Sequence, residues 1–215
     1  MNQLATADAR LAGIILLFLV LLLLAEGVFS ARGGYNGAFW AAERDRKIEH
    51  IAENSRQWTW IGIAWVLYLA AMTTGLSAFS VLLAQAGEPV LAAVALGLFL
   101  LGAFSCLVFI ILQFGPSGLA ARVRGETGVT PGWLEPLWIA VSWAEVSYIM
   151  LTSLAYVIWG VGMVISSVPA TWAGWTSMVV GGVSVIGLII ARSRFEFPQL
   201  ALVVPIVLGV ALLIN

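Results

Sequence analysis

The stretch VSWAEVSYIM, residues 141–150, places a carboxyl group, Glu145, inside a run otherwise composed for lipid. A charged side chain at mid-bilayer costs about 2.5–3.5 kcal/mol on insertion scales. A chain that keeps one there uses it for a ligand, for a proton or cation, or for a buried hydrogen bond. A helix repeats a face every three to four residues. Stepping from Glu145 collects Trp138, Ser142, Ile149, Thr152, Tyr156 and Trp159, with Tyr148 adjacent. One stripe therefore carries a carboxyl, two aliphatic hydroxyls, phenols and two indoles. The other faces are mainly Val, Leu, Ala and Met, with Trp143, Ser147 and Ser153 as exceptions.

Polar groups cannot face hydrocarbon unpaired, so this stripe is expected to look into a bundle. Indoles and phenols join apolar area to a hydrogen-bond donor, a lining that suits a small or amphipathic ligand. The same groups also suit a clasp, in which a protonated Glu145 bonds Tyr, Ser, Trp or backbone on a neighbouring helix. A second carboxyl, Glu26, lies four residues before the end of the first apolar run, in the same membrane half. The two could share a proton or hold a cation. Snorkelling to the interface is the plainer fate of Glu26.

These residues need a membrane scaffold, and the composition supplies one. Of 215 residues, 61% are hydrophobic and only 10% charged, against about 25% charged in soluble domains. A formal net charge of −1 leaves no basic footprint for nucleic acid. One cysteine, Cys106, rules out a disulfide within the chain. One histidine beside it leaves a zinc, haem or iron–sulfur site short of ligands. Only a carboxylate site for a hard cation stays open, and no cofactor is named by the sequence.

A spanning helix needs about 20 mostly apolar residues, and six segments qualify: 11–30, 58–83, 89–114, 137–165, 172–191 and 199–214. The expected fold is thus an all-α, polytopic bundle of six spans, one transmembrane domain over 1–215. Gly87 and Pro89 announce a tight turn after the second span, and SSVPAT another after the fourth. Nine of the ten basic residues fall in the connections 31–57, 115–136 and 192–198: Arg32, Arg44, Arg46, Lys47, Arg56, Arg122, Arg124, Arg192 and Arg194. The positive-inside rule makes these three connections cytoplasmic and both termini external. Arg10, the apolar run and VFSA at 28–31 also fit a cleavable signal peptide. Cleavage would leave the five basic residues of the first connection outside, so a retained first span is expected.

The first connection holds more structure than a linker. FWAAERDRKIEHIAENSRQW, 39–58, has Ala41, Ile48, Ile51 and Ala52 at helical spacing and Glu43–Lys47 as an i,i+4 pair. It reads as a cytoplasmic amphipathic helix, with Phe39, Trp40, Trp58 and Trp60 at the membrane interface and His50 solvated among charges. The connection 115–136, rich in Gly and Pro, reads as a loop whose Arg122 and Arg124 mark topology. An anionic headgroup is the alternative partner of those two arginines. In the fifth span Ala173, Ser177 and Gly181 recur every four residues, followed by Gly182 and Gly187, a spacing that lets helices approach closely within the chain or between subunits.

The later half, WAEVSYIMLTSLAYVIWGVGM, VPATWAGWTSMVVGGVSV and FPQLALVVPIVLGVALL, resembles small multi-helix membrane proteins of bacteria and archaea catalogued as domains of unknown function. The shared pattern covers about residues 138–214. It is a Glu with aromatics on one helix, Pro-x-x-Trp-x-Gly-Trp opening the next, and a Pro-punctuated last helix. The resemblance implies a membrane architecture, in the plasma membrane of a bacterium or archaeon, and lends no mechanism.

There is no phosphate-cradling glycine loop, no HExxH, no GxSxG and no lysine inside a span. These absences weigh against an enzyme. Two functions are expected from what remains. One is binding or transport of a small or amphipathic ligand at the Glu145 face, in contact with membrane lipid. The other is a non-catalytic subunit that pairs with itself or with another membrane protein through its small-residue faces.

Overall fold

The computed structural model describes residues 3–35, 39, 42–191 and 200–214, and among these every regular element is a helix. In chain order they are α1 Gln3–Arg32, α2 Arg44–Glu53, α3 Ser55–Gln85, α4 Pro89–Thr127, α5 Leu134–Ser166, α6 Thr171–Ala191 and α7 Leu200–Ile214. Five of them, α1 and α3 to α6, contain stretches long and apolar enough to cross a membrane. The expected sixth span corresponds to α7, whose apolar part is Val203–Ile214. At 1.5 Å per residue its 15 described residues reach about 22 Å of the ~30 Å hydrocarbon core, and position 199, where the expected span begins, lies outside the described residues. The connection 192–198, with Arg192 and Arg194, lies outside the described residues, as do Trp40 and Ala41.

The six long helices close into a ring. α1 packs on α3, α3 on α4, α4 on α5, α5 on α6, α6 on α7, and α7 returns to α1. Each contributes to one buried core, among them Leu16 and Leu19 of α1, Met72 and Phe79 of α3, Phe99 of α4 and Trp159 of α5. Lipid tails are as apolar as these side chains, so close packing and interhelical hydrogen bonds hold such a ring together. Glycines set the closest crossings. A Cβ at Gly13 would stand 2.9 Å from the Gly209 carbonyl oxygen, and one at Gly160 would stand 2.6 Å from that of Gly174. The expected stripe on α6 is used in this way inside the chain: Ala173, Ser177 and Gly181 are all buried, and Gly181 leaves no room for a Cβ beside Ser153.

The turns follow their residues. Gly87 takes φ +104° between α3 and α4, and Pro89 opens α4 at its first turn. The expected loop 115–136 is different. α4 runs on without a break through Pro116 to Thr127, and Gly128 then caps it at φ +74° with its N–H on the Arg124 carbonyl at 2.7 Å. Its 39 residues make a rod of about 58 Å, so its end projects well past a bilayer core. Gly and Pro were misleading here because the extension has its own packing partner.

That partner is α2. Ile48 and Ile51 bury against Ala120 and Ala121 of the α4 extension and Leu134 of α5, with Tyr35, Phe39, Trp58 and Ile61 in the same cluster. The expected helix 39–58 is thus shorter: it ends at Glu53, and Asn54 alone separates it from α3. Trp58 is buried, whereas Trp60 is exposed as an interfacial residue would be. Around this apolar seam Arg124 pairs with Asp45 at 3.7 Å and Glu49 at 3.9 Å, and Arg44 with Glu135 at 3.3 Å.

His50 is not solvated as its charged neighbours suggested. Its ring lies edge-on to Tyr35 at 4.8 Å, and its Nε2 donates to the Gly33 carbonyl at 2.7 Å, just past the end of α1. The phenol of Tyr35 in turn donates to the Asn54 carbonyl at 3.2 Å. The end of α1 is thereby tied to the last turn of α2 and to the α2–α3 joint.

Candidate functional site

The stripe of α5 divides into two halves with different surroundings. Over its first fourteen residues only Leu134 and Val141 are buried; from Tyr148 to Met163 ten residues are. The buried arc widens because α5 leaves the charged pole against α4 and α2, then enters the ring where α3, α4 and α6 all reach it. Positions four residues beyond the Leu134–Val141–Tyr148 seam therefore lie at its edge near the pole and inside it further down.

The deep half is a packed core. Thr152 Oγ1 donates to the Tyr148 carbonyl on its own helix at 2.7 Å. The Trp159 indole donates to Ser80 Oγ at 2.9 Å, and Ser80 donates to the Ala92 carbonyl at 2.9 Å, joining α5, α3 and α4. Phe99 lies 5.6 Å and Phe79 6.0 Å from the Trp159 ring. Tyr156, 6.2 Å from Trp159, is wholly buried. The hydroxyl of Tyr148 lies 3.5 Å from that of Tyr68 on α3.

The outer half borders an open cleft of about 580 Å³ between α2 and the first turns of α5. Trp138, Ile139 and Ser142 form its α5 wall; Glu43, Arg44, Asp45 and Glu135 surround it with charge. Trp138 is held in place by two contacts, a hydrogen bond from its indole to Ser117 Oγ at 3.3 Å and the Lys47 ammonium 5.8 Å from its ring centroid. Ser142 donates to the Trp138 carbonyl at 3.1 Å and is exposed, at the rim and not inside the bundle as the helical spacing suggested.

Glu145 sits one turn beyond Ser142, half-buried, where cleft gives way to core. The buried thiol of Cys106 on α4 belongs to the same core as Tyr68 and Tyr148. The sequence drew attention to neither Tyr68 nor Cys106. A lone phenol and a lone thiol in the middle of apolar spans were the available signals.

Glu26 is placed elsewhere. It accepts a 2.6 Å hydrogen bond from Ser30 on its own helix, and α1 packs on α3 and α7. The fold does not bring it to the Glu145 stripe. Among the described residues no group of three or more His, Cys, Asp and Glu side chains is disposed to hold a metal ion.

With the geometry established, comparison with known proteins adds nothing further: no protein family, no curated protein and no solved structure matches this chain.

Proposed function

We propose that this is an integral membrane protein that binds a small amphipathic ligand where α5 enters the membrane, with Glu145 at the inner end of the site. The observation that carries the reading is the cleft lined by Trp138 and Ser142, one helical turn from a half-buried carboxyl. The rim carries Glu43, Asp45 and Glu135 with Arg44, and Arg124 and Lys47 stand beside Asp45 and Trp138, so its charges are close to balanced. A ligand with a polar, hydrogen-bonding head suits that balance, its apolar body lying on Trp138 and Ile139. The packed half from Tyr148 to Trp159 favours binding over passage through the bundle. In this reading the charged pole is cytoplasmic, both termini are external, and the membrane is the plasma membrane of a bacterium or archaeon.

The second reading, a non-catalytic subunit of a larger membrane assembly, is favoured by one observation. α6 turns Trp172, Trp175, Val179, Val183 and Ile186 outward as a continuous exposed face.

Native mass spectrometry of protein released gently from membranes separates the two. The wild type is expected to carry a small-molecule mass that Glu145→Gln and Trp138→Ala both lose. Identical small-molecule spectra for all three proteins would sink the ligand site. A second polypeptide riding equally on all three would move the function to the assembly reading.

A further inference from the structure

A second cleft, of about 640 Å³, lies at the charged pole on the α1 side of the ring, between the end of α1 and the α2–α3 joint. Phe29, Arg32, Glu53, Ser55, Arg56 and Trp60 face it. Its depth follows from its walls. Arg32 is the last residue of one candidate span, and Ser55 is the first of another. The cleft therefore opens at the edge of the hydrocarbon layer, where headgroups lie.

Its chemistry is that of a phosphodiester site. Among the described residues the side chains of Arg32 and Arg56 make no hydrogen bond or ion pair, whereas Arg124 is held by Asp45, Glu49 and Thr130. Two guanidiniums offer planar donor forks matched to phosphate oxygens. The Glu53 carboxylate opposes them in part, leaving the cleft one positive charge and an acceptor for a headgroup hydroxyl. On the membrane side Phe29 and Trp60 are 41% and 52% exposed, aromatic surface at the level where acyl chains begin. The walls are fixed in place, since Gln57 Nε2 donates to the Phe29 carbonyl at 2.6 Å and ties α1 to α3 across the floor.

We propose that this cleft binds an anionic phospholipid, its phosphodiester between Arg32 and Arg56 and its acyl chains against Phe29 and Trp60. The site is separate from the Glu145 cleft and does not depend on what fills that one.

The test is native mass spectrometry of the full chain in detergent, titrated with phosphatidylglycerol or with phosphatidylcholine of the same acyl chains. Three proteins are compared: wild type, Arg32→Gln/Arg56→Gln, and the charge-matched control Arg10→Gln/Arg46→Gln, which alters exposed arginines elsewhere. The wild type and the control are expected to retain one phosphatidylglycerol in preference to phosphatidylcholine. The Arg32/Arg56 variant is expected to bind it about 30-fold more weakly, the effect of removing two interfacial cations. Equal retention by all three proteins, or equal loss in both variants, overturns the site. Should the Arg32/Arg56 variant fail to fold, the wild type alone decides, because binding both lipids equally contradicts the proposal. Stabilisation by inorganic phosphate equal to that by phosphatidylglycerol would assign the cleft to a free anion and refute a lipid site.

Discussion

The indole of Trp159 on α5 donates to Ser80 Oγ on α3 at 2.9 Å, and both groups are buried. Ser80 passes the bond on to the Ala92 carbonyl of α4, so one hydroxyl links three helices. Ser80→Ala leaves the indole N–H without its partner and is expected to cost about 1–3 kcal/mol, the usual penalty of an unsatisfied buried donor. Trp159→Phe removes the donor and part of the ring as well, so it should cost at least as much. A double-mutant cycle by unfolding in detergent should give a coupling of about 0.6–2 kcal/mol. Strict additivity would mean the bond holds nothing.

The α5–α6 crossing predicts opposite outcomes at adjacent glycines. A Cβ at Gly181 would stand 2.5 Å from the Ser153 carbonyl oxygen, a backbone atom that cannot swing aside. Gly181→Ala should therefore destabilise by about 1–3 kcal/mol through overpacking. Gly182 has open space around its Cβ direction. Gly182→Ala should be neutral or stabilising, by up to about 1 kcal/mol from helix propensity. Thermal unfolding of the two variants side by side checks the pair.

At the charged pole, packing should outweigh charge. Ile48 is completely buried beneath α2, and its truncation to Ala is expected to cost about 2–5 kcal/mol of docking. The Arg124 pairs with Asp45 and Glu49 are long and their carboxylates half-exposed, so each is worth about 0–1 kcal/mol. Hydrogen exchange over residues 44–53 should accelerate at least tenfold more in Ile48→Ala than in Arg124→Ala. The reverse order would show that ion pairs, and not the apolar seam, hold α2 down.

Tyr35 gives the pole an alkaline limit. Burial among Phe39, His50 and Trp58 pushes its phenol up to about 12 from an ordinary 10. The neutral phenol is the form the fold prefers. Its contribution is complete below pH 10 and is lost as pH rises from 10 through 12, because the unfolded chain ionises first. Wild type should lose stability across that window faster than Tyr35→Phe, and melting temperatures from pH 8 to 11.5 measure the difference. Parallel curves would place Tyr35 in contact with water.

The sequence made the membrane elements legible because hydropathy and turn residues act locally. Gly87 and Pro89 end one helix and start the next just where their backbone preferences say. The stripe on α5 was half legible. Spacing identified Tyr148, Thr152, Tyr156 and Trp159 as inward residues, but it could not show that only one side of α5 is covered near Ser142. That depends on where α2 comes to rest. His50 and Pro116 were misread for the same reason. A histidine among charges and a proline among glycines look like surface and loop until Tyr35 packs on the one and α2 on the helix that carries the other. Cys106 and Tyr68 gave no periodic signal, since the positions three and four residues to either side of each carry no hydroxyl or charge.

The unbroken length of α4 has a mechanical consequence. Cys106, in the buried core, and Thr127, at the far tip, belong to one rod and lie about 32 Å apart along it. A tilt of only about 5° pivoting at the thiol swings the tip through about 3 Å over that arm. The Arg124 contacts to Asp45 and Glu49 span 3.7 and 3.9 Å and would not survive such a swing. A small tilt of α4 at the level of Cys106 is thus enlarged at the tip, where it loosens the ion pairs and leaves the apolar seam of Ile48 and Ile51 to hold α2, with α4 as the lever.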